Sequence, residues 1–231
     1  AEAVIYADAK SKEVRKVRIK KNYRLPQIDL KLRKERTKKE ASILHKLQLA
    51  GVNVPQLTKI SEFSLEMEFL DGEKLRDYFA QQPKKTQQVF LAQLNAVQLG
   101  SPQSSALRYL DRVSKDIQRY PRPCKLAGLQ TAKMHKAGIF HGDLTTSNMI
   151  LVKDKLYLID FGLGDYSLRV EDFAVDLHIF KECLTSKHNA IWEKCWESFV
   201  DSYKSVDEKF SEAVLRRLKA VELRGRYKHV G

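Results

Sequence analysis

The fold is set by one segment, residues 141–162, which reads HGDLTTSNMILVKDKLYLIDFG. Two four-residue apolar runs within it, residues 149–152 and 156–159, are separated by only three residues. So short a link predicts a tight antiparallel hairpin. Asn148 immediately precedes the first run and Asp160 immediately follows the second. Antiparallel pairing should therefore bring Asn148 and Asp160 to the same open end of the hairpin, about 5 Å apart at the backbone.

Asp143 adds a third polar side chain at this end of the hairpin. It lies five residues before Asn148, and a loop of that length can curl it back toward the strand ends. Asn148 and Asp160 offer the amide and carboxylate oxygens that suit Mg²⁺, while Asp143 can orient an attacking oxygen. Phosphoryl transfer requires these parts, because its catalysis is mostly positioning and charge neutralisation. The segment therefore predicts an Mg²⁺-dependent phosphotransfer site.

The spacing of these residues matches the protein-kinase pattern HRDLxxxN followed by DFG. Residues 141–144 read HGDL, Asn148 follows after three residues, and residues 160–162 read DFG. The alternatives are a solvated loop acid for Asp143 and a strand-end cap for Asp160. Neither alternative explains why both motifs occur around one hairpin, so the sequence favours a kinase-like ATP enzyme.

A kinase also needs a strand lysine for the α- and β-phosphates of ATP. Residues 14–19 alternate as a strand with two different faces would, and Lys16 on this strand is the candidate. Two alternatives remain open. Lys16 is only surface charge, or the phosphate-binding lysine is one of its neighbours Lys12, Lys20 and Lys21.

The helical pattern of residues 37–50 supplies the glutamate that would hold this lysine. Apolar residues recur at near-helical spacing, and Gly51 follows where a C-terminal cap should lie. Glu40 either pairs with Lys16 or completes a capping box with Thr37, in which its side chain bonds back to the start of the helix. The sequence leaves these two interpretations about even.

A further strand precedes the predicted break between two lobes. Residues 64–70 alternate polar and apolar side chains, and residues 71–72, Asp-Gly, interrupt the pattern. If the lysine and glutamate form their ion pair, Met67 would line the back of an adenine pocket. Backbone groups of Glu68 and Leu70 would then bind the adenine edge.

The 231 residues are enough for one kinase domain of two unequal lobes. The predicted fold class is α+β, a bilobal protein-kinase-like fold. Residues 1–70 would form an N-terminal lobe with a small antiparallel sheet and one helix. Residues 71–221 would form a mainly helical C-terminal lobe, in which an apolar stripe at residues 191–199 is expected to be core. Residues 222–231 are predicted to form a basic tail.

Charge is the unusual bulk property, with a formal net charge of +13. Residues 10–39 contain fourteen Lys or Arg against three acids, and the C-terminal end is also basic. The simple interpretation is that excess Lys keeps the protein soluble. Clustering of the cations at both ends instead favours an anionic partner, such as RNA or another polyphosphate.

Several classes of protein are disfavoured by composition. There is no apolar run long enough for a membrane helix, and the first ten residues lack the pattern of a signal peptide. Three widely spaced cysteines include no C-x-x-C pair for a metal or a redox disulfide. We therefore expect no membrane association and a cytoplasmic protein, with the nucleus as a second compartment.

With these features in place, the sequence resembles the small atypical kinase subunit of the KEOPS (EKC) complex, a PRPK-type, RIO-like family. The resemblance covers nearly the whole chain and is most specific in HGDLTTSN at residues 141–148 and LRGR at residues 223–226. It implies Mg²⁺-ATP as cofactor, modest Ser/Thr phosphorylation, and ATP hydrolysis that supports threonylcarbamoyl-adenosine modification of tRNA. It also supports the roles suggested for Lys16 and Glu40.

The same resemblance implies a set of partners and some departures from ordinary kinases. The C-terminal lobe and tail would contact the threonylcarbamoyl-transferase subunit, and the N-terminal lobe a small regulatory subunit. Gly142 stands where many kinases have an arginine that pairs with a phosphorylated activation loop, so switching of that kind is not expected. Thr145 replaces a usual phosphate-binding lysine, and no A-P-E motif follows Gly162. These departures favour slow ATPase action over fast protein phosphorylation.

Two rival functions share parts of this pattern. A small-molecule phosphotransferase of the aminoglycoside or choline kinase type also uses H-G-D and an Asn five residues after the Asp. Such enzymes usually carry a larger acidic substrate-binding insert, whereas this chain is short after Asp160 and strongly basic. A non-catalytic nucleotide-binding scaffold is disfavoured, because the chain has all four residues on which the proposed chemistry depends. They are Lys16, Asp143, Asn148 and Asp160.

Overall fold

The computed structural model describes residues 3–8, 10–81, 121–189 and 191–226. Residues 82–120 of the predicted mainly helical lobe and residues 227–231 of the predicted basic tail lie outside the described residues. The elements of the N-terminal lobe are β1 Ala3–Asp8, β2 Glu13–Arg18, α1 Pro26–Leu49, β3 Leu57–Ile60 and β4 Ser64–Glu68. Those that follow are β5 Glu73–Lys74, α2 Leu75–Ala80, α3 Pro121–Lys136, β6 Ile139–Phe140, β7 Met149–Val152, β8 Lys155–Leu158, β9 Asp165–Tyr166, α4 Val170–Lys187, α5 Trp192–Lys204 and α6 Glu208–Arg226.

The N-terminal lobe is a four-stranded antiparallel sheet with one long helix against it. Strand order is β1-β2-β4-β3, so β2 lies in the interior of the sheet between β1 and β4. Alternation along β2 turns Lys16 and Arg18 inward, where both are buried, while Arg15 is exposed on the other face. The predicted two-faced strand is therefore confirmed, and its inward face carries charge.

Helix α1 begins much earlier than the sequence pattern suggested. It starts at Pro26, which suits the first helical turn because its missing N–H would be unpaired there. Thr37 lies in the interior of this helix, and its hydroxyl donates to the carbonyl of Arg33 at 2.8 Å. The capping-box interpretation of Thr37 and Glu40 is therefore wrong. Polar residues on the first turns of α1 concealed its true start.

The C-terminal lobe is mainly helical, as predicted. Helices α3, α4, α5 and α6 enclose a core that includes Phe180, Phe199 and Tyr203. The stripe at 191–199 is part of it, because Cys195 and Phe199 are buried and the neighbouring tryptophans pack against the same core. Residues 222–226 continue α6 rather than starting a separate tail. Among the described residues, no helix is both long and apolar enough to cross a membrane.

The predicted hairpin is present and carries the site. β7 pairs antiparallel with β8, with Met149 opposite Leu158, and two residues form the turn. The Ile159 amide donates to the Asn148 carbonyl at 3.0 Å, so the residue opposite Asn148 is Ile159 and Asp160 comes one position later. The strand that precedes Asp160 was predicted at residues 156–159, and the structure has it one residue earlier, at Lys155–Leu158.

The connection between the lobes is tightly packed at Gly72. β5, which follows it, pairs with β7, and this brings the backbone of Gly72 against the hairpin. A Cβ atom at this position would lie 2.2 Å from the carbonyl oxygen of Leu151 and under 3 Å from the side chains of Ile150 and Val152. Only glycine allows this approach without a shift of backbone. The observed arrangement is the α+β, kinase-like, two-lobed fold that the sequence predicted.

Candidate phosphotransfer site

An ion-pair cluster joins the two lobes at the mouth of the cleft. Lys16 Nζ lies 2.6 Å from Glu40 Oε1 on α1 and 2.6 Å from Asp160 Oδ1 beyond the hairpin. Lys16 and Glu40 are buried, whereas the Asp160 side chain is 46% exposed. Of the two interpretations of Glu40, the structure therefore shows the ion pair. The catalytic role of the pair stays a prediction.

Asp160 is held in its charged form. Burial alone would raise the pKa of its carboxyl, but the charge and hydrogen bond of Lys16 outweigh burial and lower the pKa below its ordinary value. The Gly162 amide also donates to Asp160 Oδ1 at 3.3 Å. Asp160 itself has a φ of 63°, a strained conformation for a residue with a side chain. Phe161 beside it is buried, 4.7 Å from the His141 ring.

A second buried cation, Arg18, shares the same glutamate. Its Nη2 donates to Glu40 Oε2 at 2.6 Å and lies 3.5 Å from the Arg36 carbonyl. The Arg18 side chain is 5% exposed. Lys and Arg are seldom buried unless they are paired, and here one carboxylate pairs with both. In the sequence, alternation along β2 puts Arg18 on the same face as Lys16, but no motif gives it a role of its own.

A mostly apolar cavity of about 240 Å³ opens beside this cluster. Lys16, Glu40 and Asp160 line its charged side. Its other walls come from both lobes, and include the predicted Met67, Glu68 and Leu70 together with Ile5, Ala7, Val14, Leu44, Pro55, Phe69, Lys74, Ile150 and Ile159. An apolar cleft with a few convergent charges is typical of a cofactor or substrate site. Ile150 and Ile159 were missed because apolar residues next to a hairpin end look like ordinary core.

The strand that edges the cavity has a defined set of backbone groups. The Glu68 amide donates to the Gln56 carbonyl at 2.9 Å, and the Phe69 amide donates to the Lys12 carbonyl at 2.8 Å. Both amides are therefore engaged within the lobe. Among the described residues no backbone partner of the Leu70 amide is found. Leu70 follows these two residues and lines the cavity, and the binding of a planar heterocycle by its backbone stays a prediction.

Asp143 and Asn148 lie together at the open end of the hairpin. Asn148 Nδ2 donates to the Asp143 carboxylate at 2.8 Å and to its carbonyl at 2.9 Å. Since the NH₂ group is used in this way, the amide oxygen of Asn148 is directed elsewhere and is available to a cation. The loop thus curls back as the sequence predicted, while the catalytic assignment of Asp143 stays a prediction.

The loop formed by residues 141–148 is anchored by Asp176 on α4. Its fully buried carboxylate accepts hydrogen bonds from the amides of His141 at 2.5 Å and Gly142 at 2.9 Å. His135 Nε2 lies 3.2 Å from the same carboxylate, and His135 Nδ1 lies 2.9 Å from the Tyr203 hydroxyl. Burial, together with the charge of Asp176, raises the pKa of Tyr203, so this hydroxyl keeps its proton and can donate. The sequence analysis assigned no role to Asp176, because only the hydrogen bonds from the loop amides give it one.

Gly142 has no room for a side chain. Its φ is +77°, and a Cβ there would lie 2.5 Å from the Leu163 carbonyl oxygen. His141 donates from Nε2 to the Ile159 carbonyl at 3.0 Å, which fixes the same loop from its other side. The arginine that many kinases carry at this position therefore cannot be accommodated here.

The short segment after DFG is fastened to α1. Strand β9 pairs with β6, and from it Asp165 forms an ion pair with Lys39 at 2.7 Å. The Tyr166 hydroxyl lies 2.8 Å from the Ser42 hydroxyl, and its ring stacks below Lys46 at 4.9 Å. These contacts hold α1, and with it Glu40, toward the C-terminal lobe without any modified residue.

The oxygen atoms at the hairpin end suit Mg²⁺. Among the described residues no group of three or more His, Cys, Asp or Glu side chains could hold a metal ion by itself. Magnesium at phosphotransfer sites needs fewer protein ligands, because it is bound by one or two side-chain oxygens together with phosphates and water. The Asp160 carboxylate and the Asn148 amide oxygen provide such a pair of hard ligands.

Comparison with known proteins shows that this chain belongs to the phosphotransferases. Residues 14–185 match the model of the phosphotransferase enzyme family. The chain is 35% identical over 227 residues to the KEOPS complex subunit Bud32 of Pyrococcus abyssi, an alignment that covers 97% of this chain and 88% of the relative. It is 33% identical to a probable serine/threonine-protein kinase, the BUD32 homolog of Archaeoglobus fulgidus, with 92% and 87% of the two chains covered.

Two further similarities extend this comparison. The chain is 35% identical over 218 residues to a probable bifunctional tRNA threonylcarbamoyladenosine biosynthesis protein of Methanocorpusculum labreanum, covering 94% of this chain but 33% of that longer protein. Among solved structures, WaaP in complex with acyl carrier protein has a TM-score of 0.52 at 14% identity, over 94% of this chain and 87% of that chain. The last similarity concerns the fold alone.

Proposed function

This chain belongs to the Bud32 family of KEOPS complex kinase subunits, within the phosphotransferase enzyme family, and on that premise we propose that it is an Mg²⁺-dependent ATPase and slow Ser/Thr kinase. One observation carries the proposal. Lys16, Glu40 and Asp160 meet at one end of an apolar cavity, directly beside a loop in which Asn148 holds Asp143. A nucleotide base can enter the apolar part while its phosphates reach the charged end.

Each side chain has a task that follows from its position. Lys16 donates to the non-transferred phosphates, and Glu40 holds the lysine in place. The Leu70 amide and the Glu68 backbone bind the base, and Met67 packs behind it. Asp143, exposed at the loop surface, accepts a hydrogen bond from the attacking water or hydroxyl and orients it.

Asp160 and Asn148 fit a magnesium ion through their oxygens. Bound there, the ion would neutralise charge on the phosphates during transfer. Asp160 is prepared for this because Lys16 keeps it ionised, and Asn148 because its NH₂ group is already bonded to Asp143. Asp160 therefore presents an acceptor at the charged end of the cavity, and Asn148 presents one at the adjoining end of the hairpin, where its carbonyl accepts from the Ile159 amide.

We further propose that ATP hydrolysis supports threonylcarbamoyl modification of tRNA within a complex. Support comes from relatives that are named as KEOPS subunits or as bifunctional threonylcarbamoyladenosine biosynthesis proteins. The C-terminal lobe and its basic end would contact the transferase subunit, and the N-terminal lobe a small regulatory subunit. Exposed cations of the basic stretch, which include Lys20, Lys31 and Lys38, would face tRNA. We place this assembly in the cytoplasm, and in the nucleus where one exists.

The rival small-molecule phosphotransferase is not favoured. The family model alone is compatible with that class. The relatives that match this chain over nearly its whole length are instead KEOPS and kinase proteins. A screen of ATP turnover with aminoglycosides and choline decides directly, because a substrate of that class would stimulate turnover strongly.

The central experiment measures ATP turnover by this chain alone, with the transferase subunit, and with tRNA added. We expect slow turnover alone and stimulation in the complex. Asp143→Ala should abolish hydrolysis while leaving ATP binding nearly intact, and Asp160→Ala should remove the Mg²⁺-dependent part of binding. Asp201→Ala, an exposed acid on α5, is the matched control. Full turnover in both site variants would refute the assigned roles.

A further inference from the structure

The buried charge cluster contains one cation more than an ordinary lysine–glutamate pair. Lys16 and Arg18 lie two residues apart on the inward face of β2, and both side chains are under 10% exposed. The buried carboxylate between them is that of Glu40, which is 3% exposed. Asp160, half exposed and bonded only to Lys16 among these cations, balances the remaining charge.

The two cations differ in their access to the cavity. Lys16 and Glu40 line the cavity, whereas Arg18 does not line it and contacts the second oxygen of Glu40. Both cations nevertheless approach Gly162, because Arg18 Nη2 lies 3.9 Å and Lys16 Nζ 3.6 Å from the position that a Cβ on Gly162 would take. Arg18 is also anchored by its backbone, because its amide donates to the Phe63 carbonyl at 2.8 Å. Among the described residues Glu40 is the carboxylate with which Arg18 pairs, so we expect Arg18 to influence a bound nucleotide through Glu40.

We propose that Arg18 is a positioning residue that holds the second oxygen of Glu40 and so releases Lys16 to bind the phosphates of the nucleotide. This inference rests on the proposed function, since it assumes that ATP occupies the cavity. Glu40 uses one oxygen for each cation. Lys16 can therefore move toward a phosphate while Arg18 keeps the carboxylate paired.

The physical reason is the cost of an unpaired buried charge. With Lys16 as its sole partner, Glu40 would be left buried and uncompensated whenever the lysine turned to a ligand, which is strongly unfavourable. The lysine would then stay on the glutamate and bind phosphate weakly. Arg18 removes this competition, and its planar guanidinium can make a directed, charge-assisted bond to Oε2.

The test uses calorimetry to compare the ATP dissociation constants of four proteins, the wild type and three variants. Arg18→Met keeps the bulk of the side chain but removes its charge, and Arg15→Met makes the same change on the exposed face of β2 as the control. The double variant Arg18→Met/Glu40→Gln removes the carboxylate on which Lys16 would be held. Unfolding temperatures of all variants are measured alongside.

We expect Arg18→Met to raise the ATP dissociation constant about tenfold, the loss of roughly one charge-assisted hydrogen bond to phosphate. Arg15→Met should match the wild type. The double variant should recover most of the lost affinity, because the neutral amide that Glu40→Gln introduces no longer competes for Lys16. A residue that merely supported the fold would show no such recovery.

Two results would overturn the inference. One is an unchanged dissociation constant in Arg18→Met, and the other is a folded double variant that binds ATP as weakly as Arg18→Met. If Arg18→Met does not fold, Arg18→Lys replaces it, and a loss of affinity not relieved by Glu40→Gln counts against the proposal. Failure of the wild type to bind ATP at all would instead refute the proposed function.

Discussion

Replacing Asp176 by asparagine tests how the loop formed by residues 141–148, which carries Asp143, is held in place. The buried carboxylate accepts hydrogen bonds from two successive loop amides and lies within reach of His135. Asparagine has almost the same shape but only one acceptor oxygen. Its NH₂ group must therefore face one of these donors, so that at least one hydrogen bond is replaced by a contact between two donors.

The magnitude follows from the number of bonds lost. Each hydrogen bond to a charged group contributes about 1.5–3 kcal/mol, so the loss of one or two should lower the free energy of unfolding by about 2–5 kcal/mol. In a protein of this size, each kcal/mol lowers Tm by about 2–4 °C. The loop carries Asp143, and a shift of about 1 Å in a catalytic group can reduce turnover about a hundredfold.

The assay combines urea unfolding, ATP turnover and ATP binding. Turnover by Asp176→Asn should fall steeply while the ATP dissociation constant stays near that of the wild type, because Asp176 does not line the cavity. Asp201→Asn makes the same change at an exposed position of α5 and should leave all three measurements unchanged. Wild-type stability and turnover in Asp176→Asn would refute the reasoning.

Three further changes give distinct outcomes. Gly142→Ala should lower the free energy of unfolding by about 2–4 kcal/mol, since the added methyl meets the Leu163 carbonyl at a positive φ, and an unchanged Tm would contradict this. Burial lowers the pKa of His188 below 6.5 in the folded protein. Just below pH 6.5 the unfolded chain therefore binds a proton at His188 that the folded chain does not bind. Stability should therefore fall as the pH drops from 6.5 toward the folded pKa, and urea titrations of His188→Gln should lack this part of the dependence. Tyr166→Phe removes an exposed hydrogen bond to Ser42 and should cost about 0.5 kcal/mol or less without changing ATP turnover.

The sequence was most informative where local pattern and chemistry coincide. The hairpin of β7 and β8 could be predicted from two short apolar runs. Its pairing brings Asn148 and Asp160 to the same end of the hairpin, and this does not depend on the rest of the fold. Alternation on β2 likewise made Lys16 the candidate lysine, and its burial and ion pairs in the structure exclude the surface-charge interpretation. In these cases a short-range rule determines the geometry, so no distant contact had to be known.

Elsewhere the outcome depended on contacts that local pattern does not reveal. Glu40 could bond within its helix or across the lobe, and only the true start of α1 at Pro26 settles which. Arg18 looked like one more member of a basic stretch, although two of the fourteen cations in that stretch, Lys16 and Arg18, are buried. The purpose of Asp176 becomes visible only when the loop amides, more than thirty residues away in sequence, are placed beside it.

The packing of Gly72 has a consequence for how this sequence can evolve. Any missense change in its codon adds at least a methyl group, which would collide with a carbonyl oxygen of the strand backbone. Since every residue at position 151 carries that carbonyl, no compensating substitution there can make room. Divergent descendants of the gene should therefore retain this glycine long after their surface residues have drifted.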